Sequence, residues 1–143
     1  MYTIENRVGR LIEIRIESPV TEEELQRFHD LLAKACKPIK GQIASCTDLA
    51  GATVFLQPVA ARWIEIIRQE SPIVERNALL VGEGAVFSMQ VERIIRQAGF
   101  KNRRAFLAPT ALVAWLGEIL TTRERTRLEQ FLQEGVESRM RQL

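Results

Sequence analysis

Three isoleucines at alternate positions, Ile12, Ile14 and Ile16, with Glu13 and Arg15 between them, constrain this chain more than any other feature. A period of two sets the isoleucines on one face of a strand and the charges on the other, so the strand is expected to bury one face and wet the other. Residues 10–17 therefore read as a strand, and residues 2–5 as a strand before it. Asn6, Arg7, Val8 and Gly9 form the turn, with Gly9 free to take a positive φ, and the pair is expected to be an antiparallel hairpin.

After the hairpin the period changes from two to that of a helix. Thr21 with Glu24 three residues later has the spacing of a capping box, and Leu25, Phe28, Leu31, Leu32 and Ala35 form one apolar stripe that Pro38 and Gly41 stop. Residues 42–47 read as a third strand. A second helix near Pro58 carries Val59, Trp63, Ile66 and Ile67 inward and ends at Ser71-Pro72. Residues 77–81 are a short apolar run, as expected of a strand covered on both faces. A third helix holds Phe87, Val91, Ile94, Ile95 and Ala98 and stops at Gly99, a natural residue for the left-handed position past a helix. Residues 103–107 form a fifth strand, and Pro109 opens a fourth helix with Leu112, Trp115, Leu116 and Ile119. Thr121 and Glu124 repeat the capping-box spacing and open a fifth helix.

The order is β-β-α-β-α-β-α-β-α-α. Strands alternating with helices require parallel neighbours joined by right-handed crossovers, and the hairpin adds an antiparallel edge. The expected fold is α/β: a mixed, mostly parallel sheet of about five strands with packed helices. Residues 1–120 are expected to form the domain, and residues 121–143 an extra C-terminal amphipathic helix.

Charge narrows the partners. Lys plus Arg is 20 against 18 Asp plus Glu, a net charge of +2, too weak a field to hold nucleic acid or an anionic membrane non-specifically. Lys101, Arg103 and Arg104 form a small basic cluster that reads as a solvated face. Cys36 and Cys46 are too few for a disulfide framework and lack zinc-binding spacing. The first residues lack the basic start and apolar run of a signal peptide, and no run approaches a membrane span, so a soluble cytoplasmic protein is expected.

The element order and the turn Asp48-Leu49-Ala50-Gly51 resemble the STAS superfamily, the sulfate transporter and anti-sigma-factor antagonist domains. The nearer likeness is to its SpoIIAA-like branch of single-domain bacterial proteins, grouped with SEC14-type folds. It spans residues 2–120. In the antagonists this turn reads Asp-Ser-Ser/Ala-Gly, and its first Ser is phosphorylated by the partner anti-sigma kinase. Here Asp48 and Gly51 match, but Leu49 stands at the acceptor position and has no hydroxyl. A kinase of that type is expected to leave the turn unmodified, although Thr47 and Thr53 flank it. The resemblance implies a non-enzymatic regulatory module, with Asp48, Leu49, Gly51, Thr53 and Phe55 in the partner-binding surface.

The residues themselves leave alternatives open. The apolar side chains Leu49, Val54, Phe55 and Leu56 either dock under the second helix or form an exposed contact. Asp48 at a strand's carboxyl end stands where open α/β sheets place ligands, or else it caps its own turn. His29 is the only histidine and falls at the edge of its helix stripe, which leaves no nucleophile–base pair. Gly82-Glu83-Gly84 lacks the third glycine of a dinucleotide-binding loop, since Phe87 stands there. No catalytic residue, cofactor or metal ligand is expected. The leading expectation is a regulatory protein–protein interaction module. Its alternative is a carrier or sensor of a lipid-like apolar molecule, lined by Phe55, Trp63, Phe87 and Trp115. Leu128, Leu132, Val136 and Met140, at intervals of four, are expected to need burial, either back on their own sheet or the fourth helix or, the favoured solution, in a homodimer contact.

Overall fold

A computed structural model describes residues 1–99 and 101–143. The strands are β1 (Tyr2–Val8), β2 (Leu11–Ile16), β3 (Ile43–Asp48), β4 (Val74–Leu80) and β5 (Arg103–Phe106). The helices are α1 (Glu22–Cys36), α2 (Gln57–Glu70), α3 (Ala85–Ala98), α4 (Pro109–Gly117) and α5 (Thr122–Arg141), and a single 3-10 turn, Ser71–Ile73, links α2 to β4. The element order is the one expected from periodicity.

The strands lie side by side in chain order, β1-β2-β3-β4-β5, with β1 antiparallel to β2 and every other pair parallel. Consecutive parallel strands joined by crossovers of one hand put every crossover helix on one face. Accordingly α1, α2 and α3 cover the face formed by Ile12, Ile14, Ile16, Ile43 and Leu79, where Phe28, Trp63, Ile66, Phe87 and Val91 complete the core. The opposite face, with Leu11, Ala44, Cys46, Ala78 and Leu80, is covered by α4 and α5 through Leu112, Leu116, Leu128, Phe131 and Leu132.

That second layer changes the reading of β2. Glu13 and Arg15 were expected to face water, yet Glu13 is buried and Arg15 half-buried, because α5 lies over them. A buried charge needs a partner. Arg127 of α5 supplies one, donating from Nε and Nη2 to the two Glu13 oxygens at 2.9 and 2.8 Å. Helix α5 is also tied to the hairpin. Its capping-box residue Glu124 accepts from the N–H of Thr121 at 2.8 Å and, through its other oxygen, from the N–H of Arg10 at 2.8 Å. The hairpin turn sits later than expected, since β1 continues to Val8 and Gly9 turns the chain at φ +54°. A Cβ at Gly9 would collide with the Glu124 carboxylate, so glycine serves the turn and the docking of α5 together.

Under α2 the sheet carries a buried polar group that periodicity did not reveal. Asn77 of β4 donates to Ser45 Oγ at 2.9 Å and Thr47 Oγ1 at 3.1 Å on β3, and accepts from Arg103 Nη1 of β5 at 2.9 Å. Glu70, at the end of α2, lines the same small cavity of about 20 Å³. Among the described residues, its Oε1 and the Nε1 of Trp63 are buried without a hydrogen-bond partner. Burial pushes the Glu70 carboxyl up to about 7 against the opposing pull of Arg103.

A carboxyl raised in the folded state contributes most at pH below its unfolded value and loses that contribution as pH rises through its folded value. Between pH 5 and pH 8 the wild type is expected to lose roughly 2 kcal/mol of stability from this group. The Glu70→Gln variant should show a flatter profile. Urea melts at the two pH values check this, and equal slopes for the two proteins would refute it.

Candidate functional site

The parallel register sets the carboxyl ends of β3, β4 and β5 together, with Asp48 opposite Leu80 and Leu80 opposite Phe106. The loops that follow these strands therefore emerge along one edge. Asp48, however, does not face solvent there. Its side chain turns to the α5 face and is buried. Arg15 Nε reaches Asp48 Oδ2 at 3.1 Å and Arg139 Nη1 reaches the same oxygen at 3.2 Å, while Oδ1 accepts the N–H of Ala50 at 3.0 Å. Arg15 also donates to the Phe131 carbonyl at 2.6 Å and lies over the Phe131 ring, 4.3 Å from its centroid. Asp48 thus caps its own turn and anchors the last helix at once.

The other expected partner-binding residues divide. Leu49 and Phe55 are buried in the core under α2 and α3. Phe55 stacks on Trp63 with centroids 6.3 Å apart and meets Phe87 edge-on at 5.3 Å. Of the five residues expected in a partner-binding surface, Asp48, Leu49 and Phe55 are thus buried and not displayed. Gly51 and Thr53 stay on the surface. Thr47 is buried and accepts from Asn77, so only Thr53 of the two flanking threonines presents its hydroxyl to solvent.

An open cleft of about 450 Å³ lies between the loop after β3 and the loop after β4. Ala50, Ala52, Thr53 and Val54 form one wall, and Gly82 to Phe87 the other. Val54, 51% exposed, and Val86, 69% exposed, line it, and Leu56 at 76% and Met89 at 67% are exposed further along the same segments. Val86 and Met89 are one turn apart on α3 and share a face. The two walls are fastened to each other by Gln90, which accepts the Phe55 N–H at 2.8 Å and donates to the Phe55 carbonyl at 2.8 Å. Thr53 N–H donates to Ser18 Oγ at 2.9 Å, which joins the loop after β2 to the same edge. Val86, Met89 and Gln90 were missed in the sequence. The outward side of α3 carries a signal, apolar residues off the main stripe, but only the neighbouring loop gives it meaning.

The aromatic residues expected to line a lipid-like ligand do not share a cavity. Phe55, Trp63 and Phe87 fill the first face, whereas Trp115 packs on Phe106 on the other face, 5.7 Å between centroids. The apolar space beside Leu49, Phe55, Trp63 and Val91 measures about 20 Å³, room for a water and not for an acyl chain. The basic cluster is dispersed in the same way: Lys101 is exposed, Arg103 points inside and Arg104 lies over the Trp115 ring. Cys36 and Cys46 are buried free thiols, and burial raises the pKa of both. Among the described residues no group of three or more His, Cys, Asp or Glu is placed to hold a metal ion, and no helix is long and apolar enough to cross a membrane.

The apolar stripe of α5 is in part used within the chain. Leu128 and Leu132 are buried against their own sheet, Val136 is half-buried and Met140 is 65% exposed. A row of residues four apart drifts by about 40° per step around a helix of 3.6 residues per turn, so Met140 has rotated off the face that Leu128 occupies. The positions that stay on the sheet are Leu128, Phe131, Leu132 and Gly135.

No family model matches the chain, and no curated protein matches it. Among solved structures it is similar to an uncharacterized protein of the DUF3478 family with a SpoIIAA-like fold from Shewanella loihica PV-4. The TM-score is 0.63 at 16% identity, over 80% of this chain and 93% of that one. The likeness shows the fold: this chain has a SpoIIAA-like fold.

Gly135 gives the contact with Asp48 a direct test. A Cβ there would sit 2.5 Å from Asp48 Oδ2 and 2.9 Å from Arg15 Nη2. On an exposed helix, Gly to Ala gains about 1 kcal/mol. Here Gly135→Ala is expected to destabilise the protein by about 1–3 kcal/mol, because a buried, paired carboxylate must move. Chemical denaturation decides it, and a stabilised variant would mean that Asp48 yields freely.

Proposed function

We propose that the protein is a non-enzymatic regulatory module that binds a protein partner through the carboxyl edge of its sheet. The observation that supports this reading is an open cleft lined by the exposed side chains Val54 and Val86, with Leu56 and Met89 exposed on the same two segments of chain. Large apolar side chains grouped on a surface mark an interaction site when they line a concavity. A SpoIIAA-like fold supports a regulatory role by analogy, since antagonists of that fold act by binding. The phosphorylation switch of those antagonists is not carried over, because Leu49 is buried and has no hydroxyl. What recruits or releases the partner acts on the edge itself.

The cleft's volume also falls within the range of small-ligand pockets, which keeps an apolar small molecule as the second reading. A benzophenone amino acid placed at Met89, in cells of the source organism, separates the two. The regulatory module is expected to give one dominant protein adduct from position 89 and none from Glu129 on α5, with the adduct lost when Val54→Asp is added. Equal adducts from both positions would refute the proposal. A small molecule of constant mass in native mass spectra, with no protein adduct, would favour the carrier.

A further inference from the structure

We propose, building on that reading, that the segment docking at this edge is cationic and amphipathic: one large apolar side chain enters the cleft and flanking Lys or Arg residues meet Glu17 and Glu83. The argument is one of charge complementarity set by topology. Strands β2 to β5 are parallel, so the loops after them share one edge and the loops before them share the other. In the sequence, residues 17–24, 49–57, 81–90 and 107–117 make up the carboxyl-edge loops and the helix turns next to them. They contain Glu17, Glu22, Glu23, Glu24 and Glu83, and no Lys or Arg. Lys37, Lys40 and Lys101 all belong to loops at the opposite edge.

Two of the acids stand at the cleft. Glu83 lines it, and Glu17 lies beside the facing loop, where a Cβ on Gly51 would come 3.0 Å from its Cγ. Among the described residues Glu17, Glu22, Glu23 and Glu83 enter none of the ion pairs, whereas Glu24 is paired with the Met1 ammonium at 3.0 Å. Arg139 of α5, which reaches the end of β3, is engaged there with Asp48 on the far face. A chain of net charge +2 therefore presents an acidic rim around its exposed apolar cleft. Such a rim attracts a basic segment over a Debye length of about 8 Å and repels acidic segments, nucleic acid and anionic lipid. The apolar wall then supplies what the charges do not, the burial of an anchor side chain.

The test is selection from a displayed library of random peptides of about twelve residues against the intact protein, long enough to place an anchor between flanking charges. Enriched peptides are expected to combine a Leu, Phe or Trp with at least two Lys or Arg. Their binding should weaken about tenfold in Val86→Asp, and severalfold with a shallower salt dependence in the double variant Glu17→Gln, Glu83→Gln. Amide chemical-shift mapping on the wild type should place the peptide at Val54, Val86 and Met89, which guards against a variant that merely misfolds. Acidic or uncharged peptides bound at those same residues would overturn the cationic assignment and leave the docking edge intact. Peptides that map elsewhere, or no enrichment at all, would overturn both.

Discussion

The rest of the structure depends on the pairing of Glu13 with Arg127 and of Asp48 with Arg15 and Arg139. A strand with an isoleucine face and a charged face is ordinarily an open, one-sided strand. Here helix α5 crosses the charged face and takes Glu13 and Asp48 out of water, and it brings the arginines that make this tolerable. Removing Arg127 would leave the buried Glu13 carboxylate uncompensated, at a cost of roughly 3–5 kcal/mol, whereas Asp48 without Arg139 keeps Arg15. Replacing a whole pair with apolar groups would cost far less, so these pairs are better read as devices of registration than as net stabilisers. They fix where α5 lies along the sheet, with Glu124 on the hairpin at one end and Gly135 against Asp48 at the other.

Local signals were readable in the sequence because the groups that make them lie within one turn of each other. Thr21 with Glu24 and Thr121 with Glu124 form complete capping boxes. Gly99 takes the left-handed conformation after α3, and Pro109 opens α4. The period of two along Ile12, Ile14 and Ile16 located the first core face. What could not be read was which face the last helix covers. Arg127 lies 114 residues from Glu13, and a helix of interleaved charges gives no sign that one arginine is buried. Separation along the chain also hides Asn77, whose polar neighbours Ser45, Thr47 and Arg103 come from two other strands and meet only through the register.

The candidate site shows the same division. The turn at Asp48 drew attention to the carboxyl edge of the sheet, where open α/β sheets present ligands. Its own side chains are not displayed there. Asp48 and Leu49 leave the backbone toward opposite layers, one to α5 and the other to the core under α2, so neither is left for the surface. Of four apolar residues after the turn, Leu49 and Phe55 are drawn inward and Val54 and Leu56 outward. An extended loop alternates its side chains, and the buried pair is what holds the exposed pair in place.

That alternation makes the edge a prepared surface. The Phe55 ring is locked between Trp63 and Phe87, and its backbone is held at both polar atoms by Gln90, so Val54 and Leu56 are carried on a segment whose neighbours are fixed. Val86 and Met89 project from a helix whose inner face is core. At the other end of the loop, the Ala50 N–H is tied to Asp48, and through Asp48 to α5. A partner that meets such an edge has little ordering entropy to supply from this side, which lets a modest apolar area serve for binding. It also couples the far layer to the site. Through Asp48, the helix that closes the second core is tied to the turn that carries one wall of the cleft.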